Sequence, residues 1–305
     1  MKKIKIGGKL EAPAIAVGCM RLVSLNGKEA EHFIGNAVNS GLNFFDHADI
    51  YGRGECERIF SKAVKDLKIP RDKMIIQSKC GIVPGKMYDF SEEHILNSVD
   101  GILERLGTDY LDILILHRPD ALMEPYEVGE AFYKLEKAGK VRNFGVSNMN
   151  SLQIELLQSG LRQRIIADQL QFSPVHAPMI SSGIESNMFT DGGTDRNGCI
   201  MEYCRINNIT IQAWSPYQFG FIKGVYIDNS EYRQLNDTLS EVGEKYGMDK
   251  TATVAAWIAR HPAEIQIVTG TMNAERLQSI SKGVNTRITR EEWYKIYISA
   301  GHILP

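Results

Sequence analysis

The sequence predicts an α/β chain folded as one (β/α)8 TIM barrel domain over residues 1–305, with an N-terminal β-hairpin plugging the bottom and a long rim loop near 181–198. Three observations carry that prediction. Short β-branched runs alternate with helical patterns along nearly the whole length, the signature of parallel βα units. No Pro/Ser-rich linker, sequence repeat or low-complexity segment divides the units, which favours one closed barrel over two open sheets. Polar residues of unusual type fall at the C-terminal ends of the expected strands, where barrel enzymes carry their chemistry.

The elements follow in chain order. "IKIGGKLEAPAIAVG" reads as a hairpin turning at Gly7-Gly8. Strands are expected near Leu42 to His47, Met74 to Lys79, Leu111 to His117, Val141 to Ser147, Ile165 to Gln171, Thr210 to Ser215 and Ile265 to Thr269, with an eighth near Val284 to Ile288. Between them, Phe33, Ile34, Ala37 and Val38 form a helical stripe that stops at Gly41, and Ile59, Phe60, Ala63, Val64 and Leu67 form another before Pro70. In "SEEHILNSVDGILERLG", Ser91 can cap the start and Gly107 can end the helix in a left-handed turn. Thr289 to Glu292 reads as a capping box for a last helix carrying Trp293 and Ile296. The irregular stretch from Ser181 to Gly198 is expected to lie over one rim, and loops of that length are often functional.

Composition narrows the class. An apolar share of 43%, a charged share of 24% and a formal net charge of -2 describe a soluble globular chain with material for a large core. The basic residues are dispersed and the pI is near 6.4, which gives no positive field for nucleic acid. Five cysteines, Cys19, Cys56, Cys80, Cys199 and Cys204, form no zinc or CxxC spacing and fit a reducing cytoplasm. The first residues resemble a leader ending in small-small-Cys, but Gly7, Gly8, Lys9, Glu11 and Pro13 interrupt any apolar region. No run approaches membrane-spanning length.

Placed on this map, the polar residues converge. Asp46 closes the first expected strand with Tyr51 in the following loop, Lys79 ends the second, and His117 ends the third. Ser147 and Asn148 end the fourth, Gln169 lies in the fifth, and Trp214, Ser215 and Pro216 end the sixth. Alone, each has an ordinary structural explanation as cap, snorkelling lysine or hydrogen-bonded histidine. Four titratable groups from three successive strands facing one mouth make a candidate site.

At these residues the chain resembles the aldo-keto reductases, nicotinamide-dependent oxidoreductases built on a barrel. "FFDHADIYG", "QSKCG", "LILHRPD", "FGVSN", "QAWSPY" and "VTGTMNAERL" occur in the family's order and spacing over nearly the full length. The resemblance implies a tetrad of Asp46, Tyr51, Lys79 and His117 with Tyr51 as proton donor to an aldehyde or ketone. It also implies a nicotinamide stacked on Trp214, with Ser147, Asn148 and Gln169 bonding its amide and Ser215 and Pro216 beside them. Thr269, Gly270, Thr271 and Met272 would meet phosphate. Arg276 would hold a ribose phosphate, which favours NADPH over NADH, and no metal is expected. Gly270 and Met272 supply no cation where many relatives do, and Trp214 stands where many have tyrosine.

The chemistry is consistent with those roles. Hydride addition leaves negative charge on oxygen, and an ammonium at about 4 Å favours tyrosinate by up to about 4 kcal/mol, or about three pKa units. Asp46 would hold Lys79 charged, and His117 would orient the carbonyl. His47 and Asp49 read as supporting residues. "GRGECER" at Gly52 lacks the last glycine of a Rossmann turn. Two further readings stay open: a Schiff-base lyase using Lys79, and a nucleotide-binding sensor or regulatory subunit without turnover. Met20, Arg21, Tyr88 and the 181–198 loop are expected to line the substrate pocket.

Overall fold

A computed structural model describes residues 1–305. Strands β1 (Lys3–Ile6) and β2 (Leu10–Pro13) form the expected hairpin, with Ile6 opposite Leu10. Its turn needs left-handed backbone at Gly7 (φ 58°) and Gly8 (φ 73°), and a side chain at position 7 would come within 2.5 Å of Ile166. The Gly7 N–H donates to Thr210 Oγ1 at 3.0 Å. Ile166 and Thr210 stand at the start of their strands, so the hairpin closes the N-terminal end of the barrel.

The chain then runs β3 (Ile15–Gly18), α1 (Gly27–Asn39), β4 (Phe44–Asp46), α2 (Glu55–Asp66), β5 (Ile75–Cys80), a small hairpin β6 (Ile82–Val83) and β7 (Met87–Tyr88), and α3 (Glu92–Leu106). It continues through β8 (Ile113–Leu116), α4 (Pro125–Lys137), β9 (Phe144–Ser147), α5 (Ser151–Gly160), β10 (Ile165–Gln171), α6 (Pro178–Ile184), α7 (Ile200–Asn207) and β11 (Thr210–Trp214). A second small hairpin, β12 (Gln218–Phe219) and β13 (Gly224–Val225), precedes α8 (Arg233–Tyr246), α9 (Lys250–Arg260), β14 (Gln266–Thr269), α10 (Ala274–Asn285) and α11 (Arg290–Ser299). Eight strands close a parallel barrel in the order β10-β11-β14-β3-β4-β5-β8-β9. None of the helices is long and apolar enough to cross a membrane.

One expected strand is misplaced. Val284 lies in the last turn of α10, and residues 286–289 carry no regular structure. Val284 belongs to the helical stripe of Leu277 and Ile280, all three buried. The eighth strand is β3, which pairs with β14 on one side and β4 on the other. Its residues are all buried, as befits a parallel strand covered on both faces, and it follows Pro13 without an intervening helix. That continuity made it read as part of the hairpin.

The helix caps agree with their signals. The Ser91 hydroxyl accepts from His94 N–H, Gly107 ends α3 at φ 62°, and Thr289 and Glu292 form a reciprocal capping box. Trp257 of α9 and Trp293 of α11 stack at 5.0 Å, each indole N–H donating to the other's carbonyl at 3.0 and 3.1 Å.

The barrel interior is not wholly apolar. Gln77, Gln169, Gln212 and Gln266, from four strands, are all buried and joined. Gln266 donates to Pro13 O at 2.8 Å, Gln212 to Gln266 at 2.8 Å and to Gln77 at 3.0 Å, and Gln77 to Asp46 Oδ1 at 2.6 Å. An amide stack thus connects the bottom plug to the rim, and the paired amides of Gln77, Gln212 and Gln266 satisfy polar groups that burial would otherwise penalise by about 1–3 kcal/mol each.

Candidate active site

Asp46 ends β4, and the chain then turns sharply. Tyr51 opens a helical turn whose next residues, Gly52 (φ 57°) and Arg53 (φ 57°), are left-handed. A Cβ at Gly52 would meet Val23 at 2.5 Å, so glycine allows the loop to press on the segment after β3. This turn brings the Tyr51 phenol back over Lys79 of β5.

Lys79 is wholly buried. Its ammonium donates to both carboxylate oxygens of Asp46 at 2.8 and 2.7 Å, to the His47 carbonyl at 2.8 Å and to the Tyr51 hydroxyl at 3.2 Å. Asp46 Oδ1 also accepts from Gln77 and, at 3.1 Å, from Gln169. Burial works against the Lys79 charge, but Asp46 and Tyr51 outweigh it and hold its pKa above the ordinary lysine value.

The phenol behaves differently from the sequence expectation. Lys79 does pull its pKa down, but burial pushes harder the other way, and the balance lies above the ordinary tyrosine value. Tyr51 therefore keeps its proton at neutral pH. His117, just beyond β8, places its ring 6.0 Å from that of Tyr51 at 81°. Burial, followed by the charges of Lys79 and Arg118, holds His117 well below the usual histidine range, so the imidazole is neutral. Its buried Nδ1 has no hydrogen-bond partner. His47, packed edge-on against Phe60 at 4.6 Å, is likewise held neutral, at about 3, by burial and Lys79. Burial and the neighbouring Glu57 push Asp49 up to about 7.

Asp46, Tyr51 and His117 line a 580 Å³ cleft together with Thr269, Gly270, Thr271 and Arg276. Ser147, Asn148, Gln169, Trp214, Ser215 and Pro216 line the same cleft from the ends of β9, β10 and β11, which stand between β8 and β14 in the barrel. These middle residues form a set: Ser147 donates to the Gln169 carbonyl at 2.9 Å, Asn148 to Ser147 at 2.7 Å, and the Trp214 indole to Asn148 at 3.1 Å. The Gln169 amide nitrogen is taken by Asp46 and Gln212, while its Oε1 accepts nothing from the protein. Asn148 (φ 58°) and Ser215 (φ 50°) are non-glycine residues in left-handed backbone at the strand ends, a strain that clusters at functional sites. The volume of the cleft, a free amide acceptor, a broad indole and the Arg276 guanidinium, which reaches Thr271 Oγ1 at 3.4 Å, fit a dinucleotide. Met272 packs against the core and is not among the residues that line the cleft.

The substrate side differs in part from expectation. Met20 and Arg21 line the cleft, whereas Tyr88 and residues 181–198 do not. Ser181 to Ile184 are helical, and Gly198 packs on Ser151 at the start of α5, outside the residues that line the cleft. The wall comes instead from the segment Tyr217 to Asp228 around β12 and β13, including Phe221, Ile222 and Val225. "YQFGFIKGVYID" carried a usable signal: alternating apolar residues and two glycines directly after the sixth expected strand. Gln77 and Gln212 were also missed, although a glutamine among apolar neighbours in a buried strand ("IIQSKC", "TIQAW") must find a partner inside.

Comparison with known proteins places this geometry in context. The family model described as "Aldo/keto reductase family" matches residues 14–299. The chain is 31% identical to 6-dehydroglucose reductase of Agrobacterium fabrum over 98% of each protein. It is 33% identical to the oxidoreductase YdhF of Escherichia coli over 97% of this chain and 96% of that one. An aldo/keto reductase of Klebsiella pneumoniae, solved with NADP and acetate, superposes with a TM-score of 0.75 at 21% identity, covering 97% of this chain and 94% of that one.

Proposed function

The chain belongs to the aldo/keto reductase family, and from that premise we propose that it reduces an aldehyde or ketone to the alcohol, with NADPH as hydride donor and Tyr51 as proton donor. The observation that carries this reading is the Lys79 ammonium, bound to both oxygens of Asp46 and 3.2 Å from the hydroxyl of Tyr51, which lines the cleft.

When bound, the nicotinamide supplies a hydride to the carbonyl carbon. Trp214 would offer it a stacking face, the Asn148 and Gln169 amides would hold its carboxamide, and Thr271 and Arg276 would hold the rest of the dinucleotide. The protein's task is to manage the oxygen. His117, neutral and facing the same mouth, donates to the carbonyl oxygen and fixes its direction. Tyr51 holds its proton until negative charge appears on that oxygen, then releases it. Lys79 stabilises the phenolate left behind, and Asp46 keeps the ammonium in place. The raised pKa of the half-buried phenol suits an acid that must stay protonated between turnovers.

The same geometry weighs against a lyase. A Schiff-base lysine must be neutral and reach substrate, whereas Lys79 is charged, wholly buried and bound to four acceptors. NADPH is preferred to NADH because Arg276 offers a planar cation beside Thr271 for a 2′-phosphate. A cytoplasmic setting fits five free thiols, four of them buried.

A panel of aldehydes and ketones with NADPH and NADH, followed at the nicotinamide absorbance band, tests this reading. Carbonyl-dependent oxidation of NADPH in preference to NADH is expected. Cofactor binding without turnover on any carbonyl would favour the sensor reading.

A further inference from the structure

The cation next to the candidate catalytic histidine has no partner in the protein. Arg118 follows His117 beyond β8 and lines the cleft. The other half-buried arginines all have partners: Arg71 pairs with Asp112 at 2.7 Å, Arg105 pairs with Glu57 at 2.6 Å, and Arg260 donates to the Ile288 carbonyl at 3.0 Å. Arg118 makes no ion pair and no hydrogen bond; its guanidinium carbon lies 5.9 Å from the Trp214 ring and 5.6 Å from the Phe221 ring. Rings engage the face of a guanidinium, and its five N–H groups lie in its plane. Aromatic neighbours therefore thin its hydration without occupying its donors.

Nothing else in the cleft neutralises it. The acidic lining residues are Asp46, bound to Lys79, and Asp228, bound to Lys250. A second lining cation, Arg21, has one nitrogen on the Gly270 carbonyl at 3.0 Å and likewise lacks an acidic partner. Around these charges the wall is apolar, with Met20, Ile50, Ile82, Phe221 and Ile222. A half-closed apolar cleft holding an unspent planar cation beside the carbonyl-binding groups is complementary to a carboxylate on a largely apolar frame, which a guanidinium takes in two parallel hydrogen bonds.

We propose that the substrate is an anionic carbonyl compound, an aldehyde or ketone bearing a carboxylate, and that Arg118 binds the carboxylate while Tyr51 and His117 take the carbonyl oxygen. This rests on the carbonyl-reductase reading above. Arg118 is then a specificity residue, and its removal acts on substrate charge.

The test compares 4-carboxybenzaldehyde, its methyl ester and glyceraldehyde as substrates for wild type, Arg118→Gln and Arg118→Lys with NADPH. Binding of the product acid, 4-(hydroxymethyl)benzoate, to the NADP+-loaded protein is measured alongside by calorimetry. Wild type should favour the acid over the ester at least about tenfold in kcat/KM, as expected for a charge-assisted pair. Arg118→Gln should erase that ratio mainly through KM and weaken product-acid binding to a similar degree, with Arg118→Lys recovering part of both. A wild-type ratio near one, a preference for glyceraldehyde over the acid, or equal loss on acid and ester in Arg118→Gln would overturn the proposal. So would weaker NADPH binding with the ratio intact, which would assign Arg118 to the cofactor. If wild type reduces no carbonyl yet binds the product acid through Arg118, the reductase reading falls and the anion site stands; turnover without charge preference does the reverse.

Discussion

Replacing Lys79 by methionine should damage stability and chemistry by separable routes. Asp46 is 2% exposed, and without the ammonium its carboxylate keeps only the amides of Gln77 and Gln169. Removing one partner of a buried ion pair costs about 3–5 kcal/mol, because the other charge stays behind. With an unfolding entropy of about 2.1 cal/mol/K per residue, roughly 0.64 kcal/mol/K for a chain of this length, a loss of about 4 kcal/mol lowers Tm by about 6 °C. For the chemistry, the ammonium is 3.2 Å from the Tyr51 oxygen. At an effective dielectric near 20 that separation is worth at most about 5 kcal/mol to a phenolate, nearly four decades in rate. The double variant Asp46→Asn/Lys79→Met removes the stranded charge while leaving an acceptor for the Gln77 amide. It should recover most of the lost Tm and none of the lost turnover. Thermal unfolding and NADPH-linked carbonyl reduction on all three proteins read the two effects. A Lys79→Met protein within about tenfold of wild-type turnover, or a double variant no more stable than the single, would refute the reasoning.

Three further outcomes are expected. Gln77→Leu removes the 2.6 Å donor to Asp46 and one partner from each end of the Gln212 amide, so urea unfolding should show a loss of about 1–3 kcal/mol, together with slower turnover. Arg276→Ala should weaken NADPH binding by about tenfold in a fluorescence titration and leave NADH binding nearly unchanged. Burial, only partly offset by Lys79, holds the Tyr51 pKa above its ordinary value of 10.0. Because the protonated phenol is the form active in reduction, kcat should stay flat from about pH 6 to 9 and fall only beyond. Alcohol oxidation, which needs the ionised form, should rise by about tenfold per pH unit over the same range.

The parts legible in the sequence were those fixed by local chemistry. Strand cores from Phe44 to Thr269 announced themselves by β-branched runs, and the caps at Ser91, Gly107 and Thr289 by residue type. The convergence of Asp46, Tyr51, Lys79 and His117 followed from their places at strand ends, since a parallel barrel puts all such ends on one rim. What escaped depends on tertiary direction. Ile15–Gly18 is a short apolar run and Val284–Ile288 holds β-branched residues among polar ones, and only packing makes the first a strand and places Val284 in a helix. The loop from Ser181 to Gly198 is longer than the segment from Tyr217 to Asp228, yet only the shorter reaches the cleft. Length marks a loop as notable without saying where it lies. The sign of the Tyr51 pKa shift was missed for a related reason: a pair of charges can be imagined from the sequence, but the dryness of their surroundings cannot.

The most direct test of the account is single-turnover carbonyl reduction by Tyr51→Phe preloaded with NADPH. The variant keeps the ring and loses only the hydroxyl 3.2 Å from Lys79. Cofactor affinity should stay within about twofold of wild type while nicotinamide oxidation slows by at least about a hundredfold, the scale of a lost general acid. Equal rates in the two proteins would contradict the assignment of Tyr51 as the proton donor.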